Sequence, residues 1–195
     1  MGSRQANPLA PLNLISDQAL KNLTAALVSG ALALISAPAA AELAEGATAP
    51  VFATRAALKG KEFGLALRAA LAKGPVVLYF YPKAFTQGCT LEANAFAEAM
   101  PRFKAAGASV IGMSADDIET LKRFSREECR DAFPVGVASR KIIAAYDVGM
   151  GTSGLARRTS YVIDRDGRVV LVHSDPDYRS HVEKTLAAVR RLAKK

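Results

Sequence analysis

Tryptophan is absent from these 195 residues, cysteine and histidine occur twice each, and phenylalanine and tyrosine together make up only 7%. The core must therefore be filled by Leu, Val, Ile, Ala and Phe. The cysteines, Cys89 and Cys129, stand forty residues apart, and neither has another cysteine within four residues. That spacing argues against a thiolate zinc site, whose ligands come in close pairs. His173 and His181 are eight apart near the C-terminus and read as surface or packing residues. No metal and no cofactor is expected. Acidic residues are also scarce, 18 against 26 basic, for a formal charge of +8. Such a surplus can signal nucleic acid or an anionic surface. Here the cations are scattered, and the densest group, Arg190, Arg191, Lys194 and Lys195, has no interleaved aromatic residues for stacking bases. It reads as a solvated helix end, where cations suit the helix dipole, and no nucleic-acid partner is expected.

What is present is ordinary globular composition, 50% hydrophobic and 23% charged, enough for one buried core. The first forty residues differ from the rest. Residues 1–22 are polar to mixed, with Arg4 and Lys21 as their only cations, and residues 23–35 are apolar apart from Thr24, Ser29 and Gly30. The chain then reads Ser36-Ala37-Pro38-Ala39-Ala40-Ala41-Glu42. Cation, apolar run and small-residue exit form a secretory signal peptide. The run falls short of the about 20 residues that a membrane span needs. Cleavage after Ala41 fits best and after Ala39 nearly as well, so residues 1–41 are predicted as leader and 42–195 as one domain. The mature protein is then periplasmic or secreted, where disulfides are permitted. An uncleaved anchor is the alternative, because the segment before the apolar run is long.

Within the domain, residues 42–54 read as a loop with a weak strand at Val51-Phe52, and Gly60-Lys61 as a turn before another strand. Residues 65–72 read as a short helix. Val76-Val77-Leu78-Tyr79-Phe80-Tyr81 is a continuous apolar run ended by Pro82, the pattern of a strand buried on both faces. Residues 89–105 show helical spacing, with a kink expected at Pro101. Strands are expected at 109–113 and 133–137, with a helix between them capped by Asp116 or Asp117 and lasting to about Cys129. A short helix at 139–146, a glycine loop, a hairpin of strands 159–163 and 169–173 about Asp166-Gly167, and a helix from Asp177 complete the chain. In that last helix Val182, Leu186, Val189 and Leu192 share a face. The alternation implies an α/β fold, a mixed sheet covered by helices.

The chemically informative stretch is Pro82-Lys83-Ala84-Phe85-Thr86-Gln87-Gly88-Cys89-Thr90. Cys89 follows a loop leaving a central strand, at the first turn of a helix. Open α/β sheets place reactive groups there, and the unpaired N–H groups of a helix start favour a thiolate. Gly88 allows another group to come close to the sulfur.

The pattern P-x-x-x-T-x-x-C formed by Pro82, Thr86 and Cys89 resembles the active-site motif of the peroxiredoxins (the AhpC/TSA thiol peroxidases), which have a three-layer thioredoxin-like fold. The likeness extends over roughly residues 48–193. Residues 76–81 resemble the strand entering the family's active site, and Gly107-Ala108-Ser109-Val110-Ile111-Gly112-Met113-Ser114 the next strand. Arg158-Thr159-Ser160-Tyr161-Val162-Ile163-Asp164 resembles the segment carrying the family's arginine. The resemblance implies that Cys89 attacks a peroxide and becomes a sulfenic acid. It implies that Arg158 contacts thiolate and peroxide, and that Glu92 orients Arg158. Thr86 would accept from the peroxide and donate to the sulfur, Pro82 would shield the sulfur, and the N–H groups of Gly88 and Cys89 would complete the donors.

The subfamily resembled is the bacterioferritin-comigratory, or peroxiredoxin Q, type, which suggests a monomer. Many of its members carry a resolving cysteine five residues after the nucleophile, where this chain has Asn94. Others carry it on the following helix, as Cys129 resembles. Cys129 is therefore expected to form a disulfide with Cys89 during turnover. A buried Cys129 in a one-cysteine enzyme, or a permanent Cys89–Cys129 staple, are the alternatives. The expected partners are a peroxide and a thioredoxin-like or small-thiol reductant. Two other functions compete. A disulfide oxidoreductase needs a C-x-x-C pair, which Thr86 and Glu92 deny to Cys89. A non-enzymatic exported module would leave Cys89 inert.

Overall fold

The computed structural model describes residues 43–194. The predicted leader, residues 1–41, lies outside the described residues. The described elements are β1 (Ala53–Leu58), β2 (Lys61–Ala66), α1 (Leu67–Leu71), β3 (Val76–Phe80), α2 (Gln87–Ala105), β4 (Ser109–Ser114), α3 (Ile118–Glu127), β5 (Val135–Val137), α4 (Arg140–Ala145), β6 (Thr159–Ile163), β7 (Val169–Ser174) and α5 (Arg179–Leu192). The strands form one sheet in the order β2-β1-β5-β4-β3-β6-β7. β3 pairs in parallel with β4 and antiparallel with β6, so the sheet is mixed.

Strand β3 shows why the sheet has helices on both faces. All five of its residues are buried, and side chains alternate across a strand. Val76, Leu78 and Phe80 enter one core with Leu67, Leu71, Ile142, Ile143 and Tyr146 from α1 and α4 or their ends. Val77, Tyr79 and the following Tyr81 enter the other with Phe96, Phe103, Leu121, Phe124, Leu186 and Val189 from α2, α3 and α5. The expected face of α5 is the packed one, with Val182, Leu186 and Val189 buried and Leu192 at its margin. Arg190 and Arg191 lie exposed in its last turn, as a solvated helix end should.

Two boundaries near the start of the domain differ from expectation for local reasons. The first strand is Ala53–Leu58 rather than the apolar pair Val51-Phe52, and Val51 is exposed. Its sequence, Ala-Thr-Arg-Ala-Ala-Leu, carries too little β-branched or aromatic character to signal a strand. Pairing with β2 and β5 holds it in place. The turn joining β1 to β2 is Lys59-Gly60, both with positive φ (55° and 71°), the geometry of a tight hairpin. β2 continues to Ala66, so the helix expected from Leu65 begins only at Leu67. Pro101 lies inside α2 without ending it.

Asp116 and Asp117, interchangeable in the sequence, divide two tasks. Asp117 caps α3, accepting from Thr120 N at 2.9 Å. Asp116 accepts from Ala84 N at 2.7 Å and from Ser114 Oγ at 2.8 Å, tying the end of β4 to the loop that leads to Cys89.

Candidate active site

Thr86 is the N-cap residue of α2, which places Cys89 in the first helical turn, beyond the carboxyl end of β3. The loop before it is held from below by Asp116. It is held from the side by Phe85, which has φ 62° and sets its ring edge-on to Phe124 of α3 at 5.2 Å, with the Arg123 guanidinium 5.1 Å above it. Cys89 is only 2% exposed.

Arg158, the residue before β6, brings a fixed positive charge to this sulfur: its Nη2 lies 3.5 Å from Cys89 Sγ. The remaining guanidinium nitrogens are also engaged. Nη1 donates to Glu92 Oε2, and Nε donates to the Pro176 carbonyl at 3.1 Å. A planar fork held at three points cannot swing away from the sulfur without breaking bonds at both others. Glu92 sits one turn after Cys89 on α2 and is fully buried. Burial pushes its carboxyl up to about 8, against the pull of Arg158. Gly88 has its reason here, because a Cβ at that position would stand 3.2 Å from Arg158 Nη2. The group that Gly88 admits to the sulfur is this guanidinium.

Thr86 departs from expectation. It is exposed, and its hydroxyl donates to the Lys83 carbonyl at 2.9 Å. A hydroxyl has one proton, so donation to the sulfur is not made in this conformation, while its lone pairs stay available to a substrate. Pro82 is half-buried, directly after the Tyr81 that follows β3.

Cys129 is fully buried and its thiol, like that of Cys89, is free. The helix expected to contain it ends at Glu127, so Cys129 lies in the turn beyond. There its N–H donates to Phe124 O at 3.0 Å and its carbonyl accepts from Ala132 N at 2.9 Å. Arg130 and Asp131 follow with φ 49° and 58°, a left-handed pair that a helix cannot accommodate. Burial, reinforced by the Glu128 and Asp131 charges, pushes the Cys129 thiol well above its ordinary range. Asn94, five residues after Cys89, donates to Glu128 Oε2 at 3.1 Å and fastens the Cys129 turn to α2. Both cysteines belong to one apolar cluster, with Tyr79 and Tyr81.

Sequence reasoning missed three contributors. Asp116 was visible only as a possible cap. The Pro176 carbonyl is a backbone group and leaves no sequence signal. His181 was read as a surface or packing residue; it is fully buried and lies against Glu92.

The AhpC/TSA family matches residues 46–172, the stretch that contains Cys89, Glu92, Cys129 and Arg158. The chain belongs to the AhpC/TSA family. It is 34% identical over 155 residues to the chloroplastic peroxiredoxin Q of Sedum lineare, covering 78% of this chain and 81% of the relative. Among solved structures, peroxidoxin BcpB from Mycobacterium tuberculosis matches with TM-score 0.68 and 33% identity, over 76% of this chain and 97% of that one. Peroxiredoxin Q of Xanthomonas campestris matches with TM-score 0.62 and 29% identity, over 71% and 90%. The mixed sheet with helices on both faces is thus the thioredoxin-like peroxiredoxin fold, and this AhpC/TSA protein is a thiol-dependent peroxidase.

Proposed function

We propose that Cys89 is the nucleophile of this peroxidase and that Cys129 resolves it. The observation that carries the reading is the Arg158 guanidinium 3.5 Å from the Cys89 sulfur, fixed from behind by Glu92 and Pro176. The Cys89 thiolate attacks one oxygen of ROOH, the O–O bond breaks, and the sulfur leaves the step as sulfenic acid. The departing RO⁻ takes up a proton and leaves as ROH. Negative charge grows on the departing oxygen, and a preorganised donor aimed there is the largest source of acceleration available. Arg158 supplies it. Thr86 Oγ1 accepts from the incoming peroxide, Pro82 screens the sulfur from water, and the N–H groups of Gly88 and Cys89 add donors.

In the second step the Cys129 sulfur attacks Cys89–SOH, a disulfide forms and water leaves. A dithiol protein of thioredoxin type, or a small thiol, then supplies two electrons and returns both cysteines to thiols. Bridging demands Cα atoms within about 7 Å. Local unwinding at the first turn of α2 and the turn after Glu127 meets that demand, since helix ends are low-stability regions. The domain acts as a monomer after export to the periplasm or beyond, with the leader removed after Ala41. Support for export lies in the apolar run and the small-residue exit; N-terminal sequencing of the mature protein and light scattering test both statements.

The deciding experiment is stopped-flow mixing of fully reduced protein with hydrogen peroxide, followed by a disulfide map. The parent loses two thiols per chain and yields a Cys89–Cys129 disulfide. Cys129→Ser still reacts but stops at a sulfenic acid on Cys89, and Cys89→Ser does not react. Equal peroxide reactivity in Cys89→Ser would sink the nucleophile assignment, and undiminished multiple turnover in Cys129→Ser would sink the resolver.

A further inference from the structure

The polar chain that begins at the Cys89 sulfur does not end at Glu92. Glu92 Oε2 is taken by Arg158, but Oε1 is buried without a hydrogen-bond partner among the described residues. Facing it at 3.9 Å is Nδ1 of His181, which α5 carries and which is itself fully buried. The other ring nitrogen, Nε2, lies 3.0 Å from the Asp175 carbonyl. A carbonyl only accepts, so Nε2 bears a proton and Nδ1 presents its lone pair. Ser160 Oγ stands 2.8 Å from that Nδ1. A hydroxyl both donates and accepts, so Ser160 suits Nδ1 with or without a second proton. One proton therefore has two matching seats, Glu92 Oε1 and His181 Nδ1.

We propose that His181 is a positioning residue of this peroxidase: it shares one proton with Glu92 and so sets how much of the Arg158 charge is left for the Cys89 sulfur and the peroxide. With the proton on His181, Glu92 is a carboxylate and binds Arg158 as a full ion pair. With the proton on Glu92, Arg158 keeps only a neutral acceptor behind it, and its charge is directed forward. The proton moves between two named atoms and none is gained or lost. The titratable groups around Glu92 are Arg158 ahead of β6, His181 on α5, Cys89 on its own helix and Tyr79 on β3. Beyond His181 lie Asp175 and His173, whose ring centroid is 4.5 Å from that of His181 and whose Nδ1 is met by Lys184. Burial acts on the two partners in opposite senses, raising Glu92 to about 8 and lowering His181 to about 4. Both effects oppose charge, so the proton rests on Glu92, and His181 Nδ1, 3.9 Å away, is its alternative seat.

The inference rests on Cys89 as nucleophile, and the test separates the two. The second-order rate constant for one turnover with hydrogen peroxide is measured across pH in the parent, His181→Asn, Glu92→Gln and the double variant. Asn can accept from Ser160 but cannot hold the proton. The rate profile of His181→Asn should shift by about half a pH unit or more, about a threefold rate change on a sloping limb. In the Glu92→Gln background the same substitution should cause no further shift. A His181→Asn profile that overlays the parent after scaling, or a shift that persists without Glu92, overturns the proposal, since a merely structural role gives those results. Ser160→Ala carries the same test if His181→Asn does not fold, because it removes the hydroxyl that serves both proton positions. A parent lacking a fast, Cys89-dependent reaction would instead mean that the nucleophile assignment has failed.

Discussion

The two cysteines share burial and one apolar cluster and part company in the charges around them. Cys89 is 2% exposed and Cys129 is 0% exposed, so accessibility does not distinguish them. Charge does. Cys89 sits at a helix start with a guanidinium 3.5 Å away, held by the Glu92 carboxyl group and the Pro176 carbonyl. Cys129 sits past a helix end, where Glu128 and Asp131 add to the cost of ionising a buried thiol. The thiolate is the nucleophile, so the same residue type in the same apolar cluster is equipped for opposite roles. On the proposed reading the first sulfur attacks the peroxide, and the second, whose thiol burial raises, follows after local opening.

The strongest way to break this contrast is to remove the charge that creates it. Arg158→Ala should slow the reaction of reduced protein with hydrogen peroxide by about 10²–10³-fold, the usual cost of losing a preorganised donor at a growing negative charge. It should also bring the alkylation rate of Cys89 by iodoacetamide, read by peptide mass spectrometry, down toward that of Cys129. An unchanged ratio of the two alkylation rates would mean that the guanidinium is not what separates the cysteines.

The contrast was half legible in the sequence. Pro82, Thr86 and Cys89 lie within eight residues and follow an apolar run, so the loop and the helix start were readable from local pattern. Arg158 was readable only through its neighbours, because a lone arginine before a strand has no local signature. The sheet brings it back, since β6 pairs with β3 and sets the start of β6 against the end of β3, where the Cys89 loop leaves. The Cys129 turn was less legible. The left-handed pair Arg130-Asp131 contains no glycine, so nothing announced that the helix stops at Glu127. β1 was misplaced for the complementary reason, being held by pairing rather than by its own composition. His181 shows a further limit. Its role depends on which atom of a residue 89 positions earlier is left without a partner, and no periodicity encodes that.

The polar chamber behind Cys89 has a second property that the Cys129 turn lacks, a buried histidine resisting protonation. Burial lowers His181 to about 4. Between that value and the ordinary imidazole range of about 6.5, the unfolded chain binds a proton that the folded chain refuses. The contribution of His181 is therefore complete above about pH 6.5 and is lost as pH falls through about 4. Glu92 has the opposite sign: raised to about 8, it contributes fully below the ordinary carboxyl range and loses that contribution as pH rises through about 8. The difference in urea stability between the parent and His181→Asn isolates the first arm. It should shrink as pH is lowered from about 6.5 to about 4, by up to about 1.4 kcal/mol per pH unit. A difference that stays constant with pH would show that His181 is held there by shape alone.

Tyr79 stands between the two environments and sharpens the comparison at the smallest scale. Its ring stacks on Phe96 with centroids 4.4 Å apart and meets Phe133 edge-on at 5.9 Å, yet its buried hydroxyl has no hydrogen-bond partner among the described residues. Burial raises that hydroxyl well above the tyrosine range, and charge on either Cys129 or Cys89 would raise it further. An unpaired buried hydroxyl is a cost to the fold, whereas the ring it hangs from is well packed. Tyr79→Phe keeps the ring and removes only the unpaired group, so the urea midpoint should rise, by about 1 kcal/mol in stability. If the two sulfurs communicate only by local opening, the rate of disulfide formation after peroxide should not fall in this variant. A lower midpoint would mean that the hydroxyl is satisfied in solution. A slower disulfide at unchanged stability would mean that it serves the passage from one cysteine to the other, and the contrast between the two sides would then include a group common to both.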